Sequence, residues 1–280
     1  MTSEPFVDQS AVPAADLQRR FGGLARLYGA AGAQAIARAH VVVVGIGGVG
    51  SWAVEALARS GVAALTLIDL DHIAESNINR QVHALSSTLG QAKVLAMRER
   101  IEQIHPACEV RCVDEFVTPD NWPALAGLEV SADQPLAVID CCDQVSAKLS
   151  MAAWALSGRG IFVSVGAAGG KRQAHRVDLA DLAEVTHDPL LAQLRYRLRR
   201  QHGAPRDRKI GLSCVFSREP VLQPATQPVL QCESPGAAAP THDSSLNCHG
   251  YGSVVSVTST FGLVAAGWVL DQIAAGAQAS

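Results

Sequence analysis

The sequence predicts an α/β fold: a Rossmann-like, doubly wound, mostly parallel sheet covered by helices, followed by an irregular, basic C-terminal extension. Three observations carry this. Short apolar runs rich in β-branched residues alternate with helical periods over roughly the first 170 residues, the rhythm of βαβ units whose sheet is buried on both faces. The first of these runs, Val41-Val42-Val43-Val44, opens directly into Gly45-Ile46-Gly47-Gly48-Val49-Gly50, the strand, glycine turn and helix start in which dinucleotide-binding loops occur. The chain is 48% hydrophobic but only 5% aromatic, and a core built of Ala, Val, Leu and Gly suits helices lying close on a sheet.

Taken in order, residues 1–15 carry Pro5 and Pro13 without an apolar period and read as a flexible tail. Residues 16–280 then read as a single domain, with its core at 30–170, a basic helix and loop insertion at 171–250 and a C-terminal helix at 251–275. A helical segment spans 16–28. After the glycine loop, 51–60 is helical until Gly61 stops it, and 65–68 is the second strand, closed by Asp69-Leu70-Asp71. Residues 91–104 form an amphipathic helix ended by Pro106. Strands follow at 109–113, 136–139 and 161–165, with a helix at 144–156 between the last two. Beyond Gly170 the pattern loosens. Residues 190–200 are helical and basic, 213–217 reads as a strand, and 223–245 is dominated by Pro, Gly, Ser and Thr, as in a long flexible loop. Residues 253–270 are eighteen in a row without a charge, the minimum length of a membrane span. Their serines and threonines, and the lack of a close Lys or Arg flank, read instead as a buried helix, so no membrane partner is expected.

The net charge of −3 gives no global attraction to nucleic acid. Seven cysteines leave at least one unpaired, and no charged-then-apolar leader is recognisable at the start, so free thiols in a reducing cytoplasm are expected. No C-x-x-C pair occurs, which disfavours a structural zinc site.

The chemistry begins at the glycine loop. Gly45, Gly47, Gly48 and Gly50 let backbone approach a phosphate, and the following helix start offers free N–H groups and a positive dipole. Asp69, nineteen residues beyond Gly50 at the next strand end, is placed to accept ribose hydroxyls. This much suits NAD or ATP equally. The following stretch, with Asp71, Asn77, Arg80 and Lys93, favours ATP, because charge developing at an α-phosphorus needs cations delivered to the same pocket. Asp140 ends the 136–139 strand at the ligand-binding edge of the sheet, where a carboxylate suits a magnesium ion bridging phosphates. Asp143 reads as the cap of the helix beginning at 144.

Arg20-Phe21, the glycine loop, Asp69-Leu70-Asp71, Ser76-Asn77-x-x-Arg80-Gln81, Lys93 and Asp140-Cys141-Cys142-Asp143 together resemble the ThiF/MoeB/HesA adenylating enzymes, relatives of the ubiquitin-activating enzymes. Within that group, Arg20-Phe21-Gly22-Gly23-Leu24-Ala25-Arg26, Asn79-Arg80-Gln81-Val82-His83, Phe116-Val117-Thr118-Pro119-Asp120-Asn121 and Cys214-Val215-Phe216-Ser217 resemble the tRNA threonylcarbamoyladenosine dehydratases. The resemblance implies ATP and Mg2+ as cofactors, a tRNA carrying threonylcarbamoyladenosine as substrate, and adenylation of its carboxylate followed by ring closure with release of AMP and pyrophosphate. It implies Asp69 on the ribose, Asn77, Arg80 and Lys93 on the phosphates, Asp140 on magnesium, and a homodimer. It leaves room for a cysteine-desulfurase-type sulfur partner. In MoeB-like enzymes an N-terminal arginine reaches the partner subunit's site. That slot holds Gly23 here, leaving Arg20 and Arg26 as replacements.

A tRNA substrate needs a basic surface. Arg195, Arg197, Arg199, Arg200, Arg206, Arg208 and Lys209 place seven cations within fifteen residues, and of these Arg195, Arg199, Arg200, Arg206, Arg208 and Lys209 are the expected tRNA contacts. Cys248 is the first thiol to mutate. Two other functions share parts of this pattern. An activator of a ubiquitin-like sulfur-carrier protein would use the same ATP site. An NAD-dependent dehydrogenase would use the glycine loop and Asp69 but leave Arg80 and Lys93 idle.

Overall fold

The computed structural model describes residues 15–128, 134–158, 160–222 and 251–279. Strands β1 (His40–Val44), β2 (Ala64–Ile68), β3 (Glu109–Val113), β4 (Leu136–Asp140), β5 (Ile161–Val165), β6 (Val177–Asp181) and β7 (Ser213–Ser217) form one sheet in the order β3-β2-β1-β4-β5-β7-β6. All neighbours are parallel except β6, which runs antiparallel to β7 at the edge. The order reverses between β1 and β4, and doubly wound sheets place their ligand crevice at such a switch point, beyond the strand C-termini.

Helices α1 (Leu17–Phe21), α2 (Leu24–Ile36), α3 (Gly50–Arg59), α4 (Lys93–Ile104), α5 (Val145–Ala155), α6 (Pro189–Gln201) and α7 (Val255–Ala279) cover the sheet. Each central strand buries both faces: Val41, Val42, Val43 and Val44 are all at most 3% exposed. One face packs on α2, α3 and α7, the other on α5 and α6. At roughly 25 cal/mol per Å² of apolar surface, such doubly covered strands are where most of the stabilisation accrues.

α7 realises the apolar C-terminal stretch. It is long and apolar enough to cross a membrane by length and composition, yet Val257, Phe261, Ala265, Ala266, Val269, Leu270, Ile273 and Ala274 are buried in the core. Gly262 explains how close it lies to α3: a Cβ there would stand 2.4 Å from the Val49 carbonyl oxygen.

The helix expected at 16–28 is in fact two. α1 ends at Phe21, and α2 continues to Ile36 through a non-helical Gly29 (φ 72°, ψ 167°). β6 has no counterpart in the sequence reading, since as an edge strand it is only half-buried along its length. The tail expected at 1–15 falls almost wholly outside the described residues, as do the loop at 223–245 and Cys248.

Candidate active site

The cleft at the switch point is lined by the glycine loop, by the ends of β1, β2 and β4, and by Gly166 to Gly169, with Leu190 of α6 and Thr258 of α7 at its sides. Gly45 (φ +85°) turns the chain out of β1, and a Cβ on Gly50 would sit 1.8 Å from the Gly45 carbonyl oxygen. The turn therefore closes only on glycine. Gly47 and Gly48 keep the floor open, and no side chain caps α3; the Ser51 and Trp52 amides turn to the Gly47 and Val49 carbonyls, and the positive end of the helix faces the cleft where an anion would sit.

Asp69 fastens the loop to the second strand. Its Oδ2 accepts from the Ile46 N–H at 2.6 Å and its Oδ1 from the Asp71 N–H at 2.9 Å. Burial raises its pKa, while the Lys93 charge and these two amides pull the other way. Lys93, the first residue of α4, is 6% exposed and reaches Asp71 Oδ2 at 2.6 Å and Asp69 Oδ1 at 3.9 Å. Arg80 lays its stem over Gly48, with its Nη1 donating to the Ser76 carbonyl at 2.6 Å and to Asn79 Oδ1 at 2.9 Å. Asn77 is buried, its Oδ1 accepting from the Ala74 N–H at 3.0 Å. The structure thus brings Gly45, Gly47, Gly48, Asp69, Asp71, Asn77, Arg80 and Lys93 to one cleft, with Gly50 closing the turn behind it.

Asp140 is not part of the cleft wall. It is fully buried, with Oδ2 3.0 Å from Lys148 Nζ and accepting from Ser164 Oγ at 2.7 Å, and with Oδ1 accepting from the Cys142 amide and thiol. Lys148 is equally buried. Burial drags its pKa down, but the Asp140 charge outweighs that and holds it up. A carboxylate satisfied by an ammonium, a hydroxyl and an amide has little left for a metal, which corrects the sequence expectation. Asp143 is corrected too: α5 begins at Val145 with Gln144 at its cap position and no side-chain cap, and Asp143 is exposed on the cleft.

Gln81 went unassigned in the sequence. It is 5% exposed on the cleft, and its Oε1 is buried without a hydrogen-bond partner. An orphaned buried acceptor costs about 1–3 kcal/mol, a cost that a bound ligand can relieve. The open glycine floor, the uncapped helix start, two cations and this amide fit a nucleoside triphosphate. Burial raises the pKa of Cys141 and Cys142 at the cleft and of Cys214, and all five described cysteines are free.

The family model of the ThiF family matches residues 17–278. The chain belongs to the ThiF family. Within it, the chain is 42% identical over 261 residues to a tRNA threonylcarbamoyladenosine dehydratase of Escherichia coli, covering 92% of this chain and 94% of that one. The enzyme of the same name from Haemophilus influenzae is 38% identical over 259 residues, covering 91% and 94%. The crystal structure of the E. coli dehydratase in complex with ATP superposes with a TM-score of 0.81 at 40% identity, covering 96% of this chain and all of that one.

In this ThiF-family chain the basic segment divides into two groups. Arg195 spends its guanidinium on the Leu182 and Val185 carbonyls at 2.9 and 2.8 Å, and Arg199 donates to the Pro205 carbonyl at 3.1 Å. Lys209 pairs loosely with Glu184 at 3.7 Å. Arg200, Arg206 and Arg208 are exposed. Arg195 and Arg199 therefore each have a local structural task within the chain.

Proposed function

We propose that the chain is an ATP-dependent tRNA threonylcarbamoyladenosine dehydratase, which adenylates the carboxylate of that nucleoside and closes it to the cyclic form. The observation that carries this reading is the placement of Lys93, beside Asp69 and Asp71 and across from Arg80 over the glycine loop. A site for a dinucleotide alone has no use for these two cations.

A carboxylate oxygen attacks the α-phosphorus of ATP, and pyrophosphate leaves. The mixed anhydride turns a poor electrophile into one with AMP as leaving group. The carbamoyl group of the same residue then closes on the activated carbonyl, releasing AMP and a proton, so the nucleoside loses one water overall. Closure is intramolecular, and a favourable geometry can supply a very high effective concentration. No enzyme thiol is required. Lys93 and Arg80 stabilise charge at the α-phosphate, and the glycine loop with the positive end of α3 holds the phosphate chain. Asp69 holds the loop through one oxygen edge and faces the ribose. Gln81 supplies an amide to the bound nucleotide. Asp143, exposed on the cleft, would hold a magnesium ion, which would supply charge neutralisation to the phosphates, and Asp140 holds the β4 end in place through Lys148.

The chain acts as a homodimer in the cytoplasm, where free thiols and tRNA are at home. Arg20 donates to its own chain's Ile104 carbonyl at 2.7 Å, so exposed Arg26 is the better substitute for the arginine missing at Gly23. A sulfur-relay partnership would depend on Cys248, since the thiols at the cleft are poor nucleophiles. The test is nucleoside analysis of modified tRNA incubated with the protein and Mg-ATP. Conversion to a species lighter by one water supports the reading. Recovery of the unaltered nucleoside, alongside adenylation of a carrier protein's C-terminus, would replace it with the carrier-activating function.

A further inference from the structure

α6 begins at the nucleotide cleft and leads away from it. Asp188 caps it, accepting from the Leu191 N–H at 2.9 Å, and Leu190 in the first turn lines the cleft. Leu191, Leu194 and Leu198 are buried, which turns the opposite face outward. That face carries Gln193, Tyr196, Arg197 and Arg200 at helical spacings of three and four. Tyr196 is 61% exposed, and its hydroxyl lies 3.3 Å from Arg200 Nη1. The guanidinium of Arg200 thus stands at the edge of an uncovered aromatic ring, and Arg206 and Arg208 continue the cationic surface beyond the helix. At 1.5 Å per residue, Tyr196 is about 9 Å and Arg200 about 15 Å along the axis from Leu190.

An aromatic ring exposed among cations suits one class of partner. An apolar protein surface would cover the ring but strand the guanidinium groups without counter-charge. A folded acidic protein would satisfy the arginines but offer the ring little. A single-stranded polyanion satisfies both, because every base has a π-face and every link a phosphate. We infer that Tyr196 is a stacking platform for an unpaired base of the RNA, close to the nucleoside held in the cleft, with Arg197 and Arg200 on the adjoining phosphates. The inference rests on the dehydratase reading and adds to it the surface that holds the substrate beside the reacting nucleotide.

The test uses the full chain and a labelled anticodon stem-loop carrying threonylcarbamoyladenosine. Tyr196→Ala is expected to weaken RNA binding roughly tenfold or more without changing the salt dependence or the affinity for ATP. Tyr196→Phe keeps wild-type binding, since stacking needs the ring and not the hydroxyl. Arg200→Gln lowers the slope of log affinity against log salt by about one. Equal RNA affinity of Tyr196→Ala and wild type overturns the stacking role, while continued turnover of the modified RNA leaves the dehydratase reading standing. Loss of ATP affinity along with RNA affinity overturns it as well, since that marks a general distortion of α6. A wild-type chain that neither binds nor converts the modified RNA removes both.

Discussion

Asp69 and Lys93 show how one contact can serve fold and chemistry together. The carboxylate ties the glycine loop to the second strand, and its burial raises the cost of charge unless Lys93 stands by. Lys93 is itself held by Asp71, whose side chain is 57% exposed and so can yield to an incoming phosphate. Lys93→Ala is expected to reduce the adenylation rate by about 10²–10³-fold, the usual loss for one charge-stabilising donor, checked by pyrophosphate exchange at saturating ATP. Lys148 has the opposite character: its ammonium is fully buried and neutralises Asp140 inside the core. Lys148→Met leaves an unpaired buried carboxylate, and a loss of about 3–5 kcal/mol is expected in denaturant titration. His83 adds a pH dependence. Burial, aided by the charges of Lys93 and Arg100, lowers its pKa from 6.5 to about 4. Between those values the unfolded chain binds the proton more readily, so stability falls as pH drops below about 6.5 and the loss is complete near 4. Melting temperatures between pH 7 and 5 check this: His83→Phe should flatten the decline. At this scale the sequence revealed residue identities but not side-chain directions. Strand-end position put Asp140 at the ligand edge of the sheet, and only the tertiary packing shows its carboxylate turned back toward Lys148 while Asp143 faces the cleft. Gln81 is one amide among many in sequence, and it stands out only because burial leaves its oxygen alone.

The elements were readable where periodicity is strong. Strands β5 and β7 fall where the apolar runs put them, because strands buried on both faces read as continuous hydrophobic stretches, while β3, at the opposite edge of the sheet, shows as Val110 and Cys112 alternating with Glu109 and Arg111. β6 escaped because a half-buried edge strand carries no such run. The double break at Gly22 and Gly29 escaped because propensity tolerates a glycine inside a helical period. α6 was visible as a basic helix, but its arginines differ in kind. Arg195 and Arg199 cap local carbonyls, while Arg200 and its exposed neighbours face outward. The glycine loop is the element whose geometry leaves least freedom. Gly50→Ala would push a methyl to 1.8 Å from the Gly45 carbonyl oxygen, and the turn must open to accept it. Calorimetric titration with ATP is expected to show loss of detectable binding, and unchanged affinity would mean the phosphates lie elsewhere.

On the scale of the whole molecule, the switch between β1 and β4 places the cleft, α7 shields the sheet beside it, and α6 extends from its rim. The net charge of −3 conceals this arrangement, because the cations that matter are concentrated in one segment while acids are spread through the rest. The fold class, the nucleotide loop and the family were all readable from residues 20–170. The basic surface around α6 was readable only as a density of charge, since sequence cannot say which arginines already bond to their own chain. On the proposed reading, this ATP site activates a nucleoside carboxylate on RNA. The most direct measurement is AMP release from Mg-ATP, comparing tRNA that carries threonylcarbamoyladenosine with the same tRNA lacking it. Release confined to the modified tRNA is the expected result, and equal release with both, or with neither, would contradict it.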